Sequence, residues 1–281
     1  MVNGLLWKEI FSEIDEMLEN GTCSFVFGKP SKLALQVIAK YPHINCVYDA
    51  MDDFPAFYSG FSRLAMTRVE KKISAHVSRV IVSSSALRDR FSHHVRNVQI
   101  AFNACSSLNM PDIEIKQTAQ ERPIMGYVGT IAQWFDWQFV IRLAEKNPSA
   151  MVRLIGPVFG SVPVELPQNV ELRPACSHPE AIIEMQKFHV GLIPFKTTTL
   201  TRSVDPIKYY EYKAAGLPII STNFGEMSNR VGERGVYIAD EKSDLTAIAN
   251  AALAFELTAD EVMIFREMNS WSSRFDQANI F

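Results

Sequence analysis

Apolar positions along this chain change their period repeatedly. They recur with helical spacing over Leu5–Leu18, bunch into a short run at Ser24–Phe27, and return to helical spacing over Ser31–Ala39. Short apolar runs predict strands buried on both faces, and the periodic stretches between them predict the helices that cover those faces. Further strands are expected at Asn45–Tyr48, Arg79–Ser83 and Val98–Ala101, with helices at Arg63–Ala75 and Ala86–Phe91. Ser31 stands where a helix N-cap belongs.

The pattern lapses over Ser106–Arg122, a polar stretch that contains Pro111, and residues 109–122 are expected to form an interdomain linker. The alternation then restarts. Strands are expected at Pro123–Val128, Met151–Ile155, Val170–Leu172, Val190–Pro194, Pro218–Ser221 and Val236–Ile238. Helices are expected at Asp136–Lys146, Pro179–Gln186, Pro206–Ala215 and Leu245–Phe255. Ala259–Phe281 reads as helical with a break near Ser270–Ser273. Two runs of strand–helix alternation predict an α/β protein with two parallel sheets, one in residues 1–108 and one in 123–258.

Composition narrows the class. At 281 residues and 47% hydrophobic, the chain can bury cores without metal or disulfide staples. Cys23, Cys46, Cys105 and Cys176 lie far apart without metal-ligand spacing, so they read as small apolar residues in a reducing, cytoplasmic setting. No apolar run approaches the ~18 residues of a membrane span, and the Glu-rich start is unlike a signal peptide. No metal site is expected, and the aromatic–basic interleaving of nucleic-acid readers is missing.

Charge is uneven. Residues 1–108 carry a net +2 and the remainder a net −5. Between Arg63 and Arg96 eight Lys/Arg face only Glu70 and Asp89. Such a segment is either a solvated helix face or a patch that attracts phosphates or an anionic membrane.

Ligands of open parallel sheets sit at the C-terminal strand ends, and three such ends carry candidate chemistry. At Gly126-Tyr127-Val128-Gly129-Thr130 glycine lets a ligand approach the backbone, and the helix starting near Asp136 presents free N–H groups to a phosphate. From Pro194 to Gly216 a polar loop with Arg202 leads to Asp205-Pro206, an expected N-cap and first helical residue. Lys208 and Glu211 then share one helix face beside Tyr209, a cation for a diphosphate and a carboxylate for ribose hydroxyls. At Asp49, Asp52 and Asp53 three neighbouring carboxylates are expected to raise one another's pKa. They suit a general base, a metal site or a plain solvated loop.

The run Pro206–Thr222, PIKYYEYKAAGLPIIST, resembles the P-x-K-x-x-E-Y-x-A-x-G-x-P segment of bacterial GT-B glycosyltransferases that build surface polysaccharides. Tyr48–Phe54 is similar to that family's Y-D-x-x-D-D-F strand end, Val82–Ser85 to its v-x-x-S strand, and Gly126–Thr130 to its G-Y-x-G opening of the donor domain. The resemblance implies two Rossmann-like domains facing across a cleft, the first shorter than is typical, and a final helix over 259–281, with Trp271, crossing back to the first domain. It implies a UDP- or GDP-linked sugar donor, no cofactor, and a glycan or lipid-linked acceptor. From charge alone, residues 63–96 are expected to dock a cytoplasmic enzyme peripherally on the inner face of the membrane. Gly129 and Thr130 would face the donor diphosphate, Arg202 and Tyr209 would border it, Lys208 would neutralise it, and Glu211 would hold the ribose. Asp49 or Asp52 would be the base of an inverting transfer. Retaining members often carry Glu eight residues before the ribose carboxylate, and Ser203 stands there. A non-catalytic nucleotide-binding relative, or a nucleotide-sugar epimerase of the same architecture, are the alternatives.

Overall fold

A computed structural model describes residues 2–19, 21, 23–106 and 122–278. It divides into two compact units, Met1–Ala101 and Phe102–Phe281. In chain order the first unit holds α1 (Val2–Glu19), β1 (Ser24–Phe27), α2 (Lys32–Lys40), β2 (Asn45–Ala50), α3 (Gly60–His76), β3 (Arg79–Val82), α4 (Ser85–Ser92) and β4 (Val98–Ile100). Its four strands are parallel, in the order β1-β2-β3-β4.

Local chemistry starts these helices where the sequence suggests. The Ser31 hydroxyl accepts from the Ala34 N–H at 3.0 Å, and Ser84 does the same for Leu87 at 3.2 Å. The core is built from the inner sides of the strands and helices: Tyr48, Ala50, Ile73, Val80, Val82, Leu87 and Phe91. Strand β2 runs two residues past its expected end. Asp49 and Ala50 pair in register with Ile81 and Val82, so Asp49 belongs to the strand and not to the loop after it.

The second unit holds β5 (Ile124–Val128), α5 (Trp137–Lys146), β6 (Met151–Ile155), β7 (Val170–Arg173), α6 (His178–Gln186), β8 (Val190–Ile193), α7 (Ile207–Ala214), β9 (Ile219–Thr222), β10 (Val236–Ala239), α8 (Leu245–Leu253), α9 (Ala259–Met268) and α10 (Trp271–Gln277). The sheet is parallel with the order β10-β9-β8-β5-β6-β7. The chain leaves β5 for β6 on one side and returns to β8 on the other, which makes the β5/β8 boundary a topological switch point. One core layer includes Phe139, Leu143 and Ala249 of α5 and α8, and the other includes Met185 and Tyr212 of α6 and α7.

Two glycines let these layers close. A Cβ at Gly126 would overlap the Phe188 ring, and one at Gly191 would overlap the Tyr212 ring. Gly126 is thus a packing residue inside β5, upstream of the strand end at Gly129 where a ligand is expected.

The units divide at Ala101 and Phe102, ahead of the expected boundary at 108. The reason is local: the Asn103 N–H donates to the Asp205 carboxylate at 2.8 Å, and Cys105 bridges to Ser270. The expected linker falls, apart from Arg122, outside the described residues. Helices α9 and α10 cluster with the second unit, where Phe265 packs on Tyr209 and Tyr210 of α7. The periodic pattern gave no sign of three short 3-10 turns, at Phe54–Phe57, Thr201–Ser203 and Gly225–Arg230. The cysteines are unpaired; Cys46 and Cys105 are buried, whereas Cys176 is exposed.

Candidate functional site

The second unit gathers its chemistry at the switch point. Helix α7 follows β8 through the polar loop that contains Arg202, and its first turn carries Lys208. The Lys208 ammonium donates to the Glu211 carboxylate one turn on, and both side chains are largely shielded from solvent. His178, at the start of α6, places Nε2 3.8 Å from the other Glu211 oxygen. Two elements, α6 and α7, therefore converge on one carboxylate.

Gly129 closes β5 beside this pair. A Cβ there would lie 3.5 Å from the Lys208 side chain and 2.8 Å from the Tyr127 hydroxyl. The Gly129 N–H donates to the Ile155 carbonyl at 2.9 Å, and a Cβ on Gly156 would strike the Gly129 carbonyl. The two strand ends are thus joined at glycines, which leaves backbone rather than side chain against Lys208. The Thr130 carbonyl accepts from the Tyr127 hydroxyl at 2.9 Å, which fixes the turn after the strand.

The expected helix end at Asp136 is less open than its position implied. The Asp136 carboxylate itself caps α5, accepting from the Phe139 N–H at 3.0 Å. A carboxylate on those donors is a poor neighbour for a phosphate. The loops after β5, β6 and β8 instead enclose a cavity of about 190 Å³ lined by Ile131, Trp137, Val158, Phe159 and Lys196, among others.

Asp205 and Tyr209 do other work than expected. The N-cap of α7 is Pro206, and it makes no side-chain capping bond. Asp205 is buried and accepts from Arg230 at 2.7 Å, from the Tyr210 hydroxyl at 2.9 Å and from the Asn103 N–H. Three donors compensate a carboxylate that could not otherwise be buried. The Tyr209 ring lies under the Arg230 guanidinium at 3.7 Å and its hydroxyl donates to Glu233 at 2.6 Å. Tyr209 is therefore packed into the base of α7 and is not brought to Lys208 and Glu211. Arg202 is exposed on its 3-10 turn. The Asp205–Arg230 anchor is invisible in the chain because its partners lie 25 residues apart with no shared motif.

In the first unit the three aspartates separate by environment. Asp53 accepts from Arg90 at 2.8 Å, and the same guanidinium donates to Glu70 at 3.1 Å. Glu70 also accepts from the buried Tyr48 hydroxyl at 2.9 Å. Asp53 is thereby a structural partner. Burial raises the Asp49 carboxyl, and it pushes Asp52 to about 6 with a smaller contribution from Asp53. The expected cause was mutual repulsion; the larger one is loss of water. Among the described residues no group of His, Cys, Asp and Glu could hold a metal ion, and no helix is long and apolar enough to cross a membrane.

No family model matches the chain. It is 25% identical over 211 residues to the "Putative teichuronic acid biosynthesis glycosyltransferase TuaH" of Bacillus subtilis (strain 168), a match covering 67% of this chain and 53% of that protein. The chain thus spans about half the length of this curated relative. Among solved structures it superposes on Anabaena HepE in complex with UDP with a TM-score of 0.65 at 13% identity, covering 95% of this chain and 79% of HepE. It superposes on the lipopolysaccharide outer core galactosyltransferase WaaB in its apo form with a TM-score of 0.64 at 12% identity, covering 99% and 80%. Parallel α/β sheets of four and six strands, matched along nearly the whole chain by these structures, make this the GT-B glycosyltransferase fold.

Proposed function

We propose that the protein is a hexosyl- or glycuronosyltransferase that moves a sugar from a UDP- or GDP-linked donor to a glycan or lipid-linked acceptor in polysaccharide biosynthesis. The observation that carries this reading is the Lys208–Glu211 pair at the switch point, set against the backbone of Gly129. The arrangement divides the donor between two chemistries. Lys208 leaves Glu211 to neutralise the diphosphate as the nucleotide departs. Glu211 accepts from the ribose hydroxyls. Gly129, its own N–H held by Ile155, keeps side chains out of the way of the phosphates, Thr130 offers its main-chain N–H, and Arg202, exposed on its turn, meets the donor's charge. HepE was solved with UDP, which favours a uridine donor here.

Asp52 is the better placed of the two base candidates. Its pKa lies near neutrality, so it can take a proton from an acceptor hydroxyl and release it again. Ser203 in place of a second carboxylate fits an inverting transfer. The diphosphate charge is met by Lys208 and main-chain N–H groups, so neither metal nor cofactor takes part. A peripheral position on the inner face of the membrane, through the basic segment 63–96, completes the reading.

Calorimetry with UDP and GDP, followed by donor hydrolysis in the presence of EDTA, tests it. Binding of one nucleotide, with turnover that survives chelation, is expected. Unaltered binding in both Lys208→Ala and Glu211→Ala would remove the site, and binding without turnover by the intact chain would remove the transferase activity.

A further inference from the structure

Helix α3 turns the wrong residues outward for an ordinary surface helix. Its inner face buries Glu70, Ile73 and Ser74. At 100° per residue the opposite face carries Phe61, Leu64, Arg68, Lys71 and Lys72. All five are exposed, Phe61 at 91% and Leu64 at 53%. The only carboxylate of the helix, Glu70, is turned inward to Arg90. Acid faces in, base and apolar face out.

The outer face is also divided along its length. Its N-terminal end is apolar and continues into Phe57 and Tyr58 of the preceding 3-10 turn and its cap, both exposed. Its C-terminal end is basic. From Phe61 to Lys72 is about 16 Å of helix. An aromatic end beside a cationic end matches a surface that is apolar at depth and anionic at its rim, which describes the headgroup boundary of a bilayer. Arg and Lys stems can lie along that boundary while their charges meet phosphates.

We propose that the outward face of α3, with Phe57 and Tyr58, docks on an anionic lipid bilayer, its aromatic end inserting at the interface and its basic end reading headgroup charge. This deepens the membrane contact proposed above and rests on it. It also narrows that contact. Arg90 is committed to Asp53 and Glu70, Arg88 pairs with Asp89, and Arg79 bonds Gln99. Of the basic segment, Arg68, Lys71 and Lys72 share the outward face with Phe61 and Leu64, and they are the cations that the docked face presents.

Co-sedimentation of the full chain with vesicles tests the proposal. The probes are phosphatidylcholine alone and phosphatidylcholine with phosphatidylglycerol, at low and high salt. The chain should pellet with the anionic vesicles at least tenfold more than with the neutral ones, and less at high salt. Phe61→Ser/Leu64→Ser should abolish pelleting at both salts, and Arg68→Glu/Lys71→Glu/Lys72→Glu should abolish the preference for anionic lipid. Unchanged UDP calorimetry in both variants reports that the second unit is intact, so failure here is separable from failure of the donor site. Capture of the wild type that ignores lipid charge overturns the proposal. So does equal capture of either variant, and so does sedimentation velocity in which Phe61→Ser/Leu64→Ser splits a dimer.

Discussion

Lys208 and Glu211 neutralise each other across one turn of α7, with the lysine side chain lying against Gly129 at the end of β5. In that state neither group is free, so a donor must separate them. The two substitutions should therefore have different signatures. Lys208→Ala is expected to weaken UDP by roughly ten- to hundredfold, the range of a charge-assisted hydrogen bond, while uridine binding barely changes. Glu211→Ala is expected to weaken uridine and UDP alike, because the ribose contact is lost from both. Calorimetry with uridine, UDP and inorganic diphosphate on each variant separates these patterns. Equal losses for all three ligands in both variants would mean that the pair acts only as a structural brace.

The pair depends on an anchor below it. Arg230 holds the fully buried Asp205 and covers the Tyr209 ring. Arg230→Ala leaves that carboxylate without its cation. Breaking a buried pair from one side costs about 3–5 kcal/mol. A matching drop in the denaturant midpoint, at constant slope, is the expected result. A loss under about 1 kcal/mol would show that Tyr210 and the Asn103 N–H suffice to keep Asp205 buried.

Much of this architecture was legible in the chain because short apolar strands and amphipathic helices leave different periods. Ser24–Phe27 and Met151–Ile155 begin and end where the apolar runs do. Lys208 and Glu211 were legible too, since three residues on a helix bring two side chains together whatever surrounds them. What could not be read depends on partners distant in sequence. Asp205 looked like an N-cap because Asp-Pro commonly is one, yet Arg230, Tyr210 and Asn103 draw it inward. Asp49, Asp52 and Asp53 looked equivalent, and only Arg90 and the depth of each carboxyl distinguish them. Phe61 lies ahead of the helix expected at Arg63–Ala75, yet the helix begins at Gly60 and turns that ring outward, 91% exposed.

Gly191 tests how tightly the second sheet closes on α7. A Cβ there would overlap the Tyr212 ring, whose hydroxyl accepts from the Val128 N–H at 3.1 Å. Gly191→Ala must push that ring and α7 away from the sheet. Overpacking of this kind costs typically about 1–3 kcal/mol. Because Lys208 and Glu211 ride on the same helix, UDP affinity should fall along with the melting temperature. Gly191→Ala/Tyr212→Leu should recover part of the stability. A Gly191→Ala protein with unchanged melting temperature would show that Tyr212 can yield without cost.

Asp52 gives the sharpest pH expectation. Burial lifts its carboxyl to about 6 in the folded chain, above the unfolded value near 3.8. A base must be ionised, so turnover should rise through about pH 6 and level off above it. Stability moves the other way. The folded state holds the Asp52 proton more tightly than the unfolded state, so between pH 4 and about 6 this group makes stability fall as pH rises. Asp52→Asn removes that cost. The variant is expected to be more stable than wild type at pH 7 by about 1–3 kcal/mol and equal to it near pH 4, while losing turnover about a hundredfold or more. Asp53→Asn should weaken the Arg90 contact and lower stability, and the midpoint of the pH profile should move slightly down, because the Asp53 charge supplies the smaller part of the rise at Asp52. Melting curves and initial rates from pH 4 to 8 on the three proteins decide the matter. An Asp52→Asn enzyme with wild-type rates would transfer the role of base to Asp49, the other carboxyl that burial raises at this strand end.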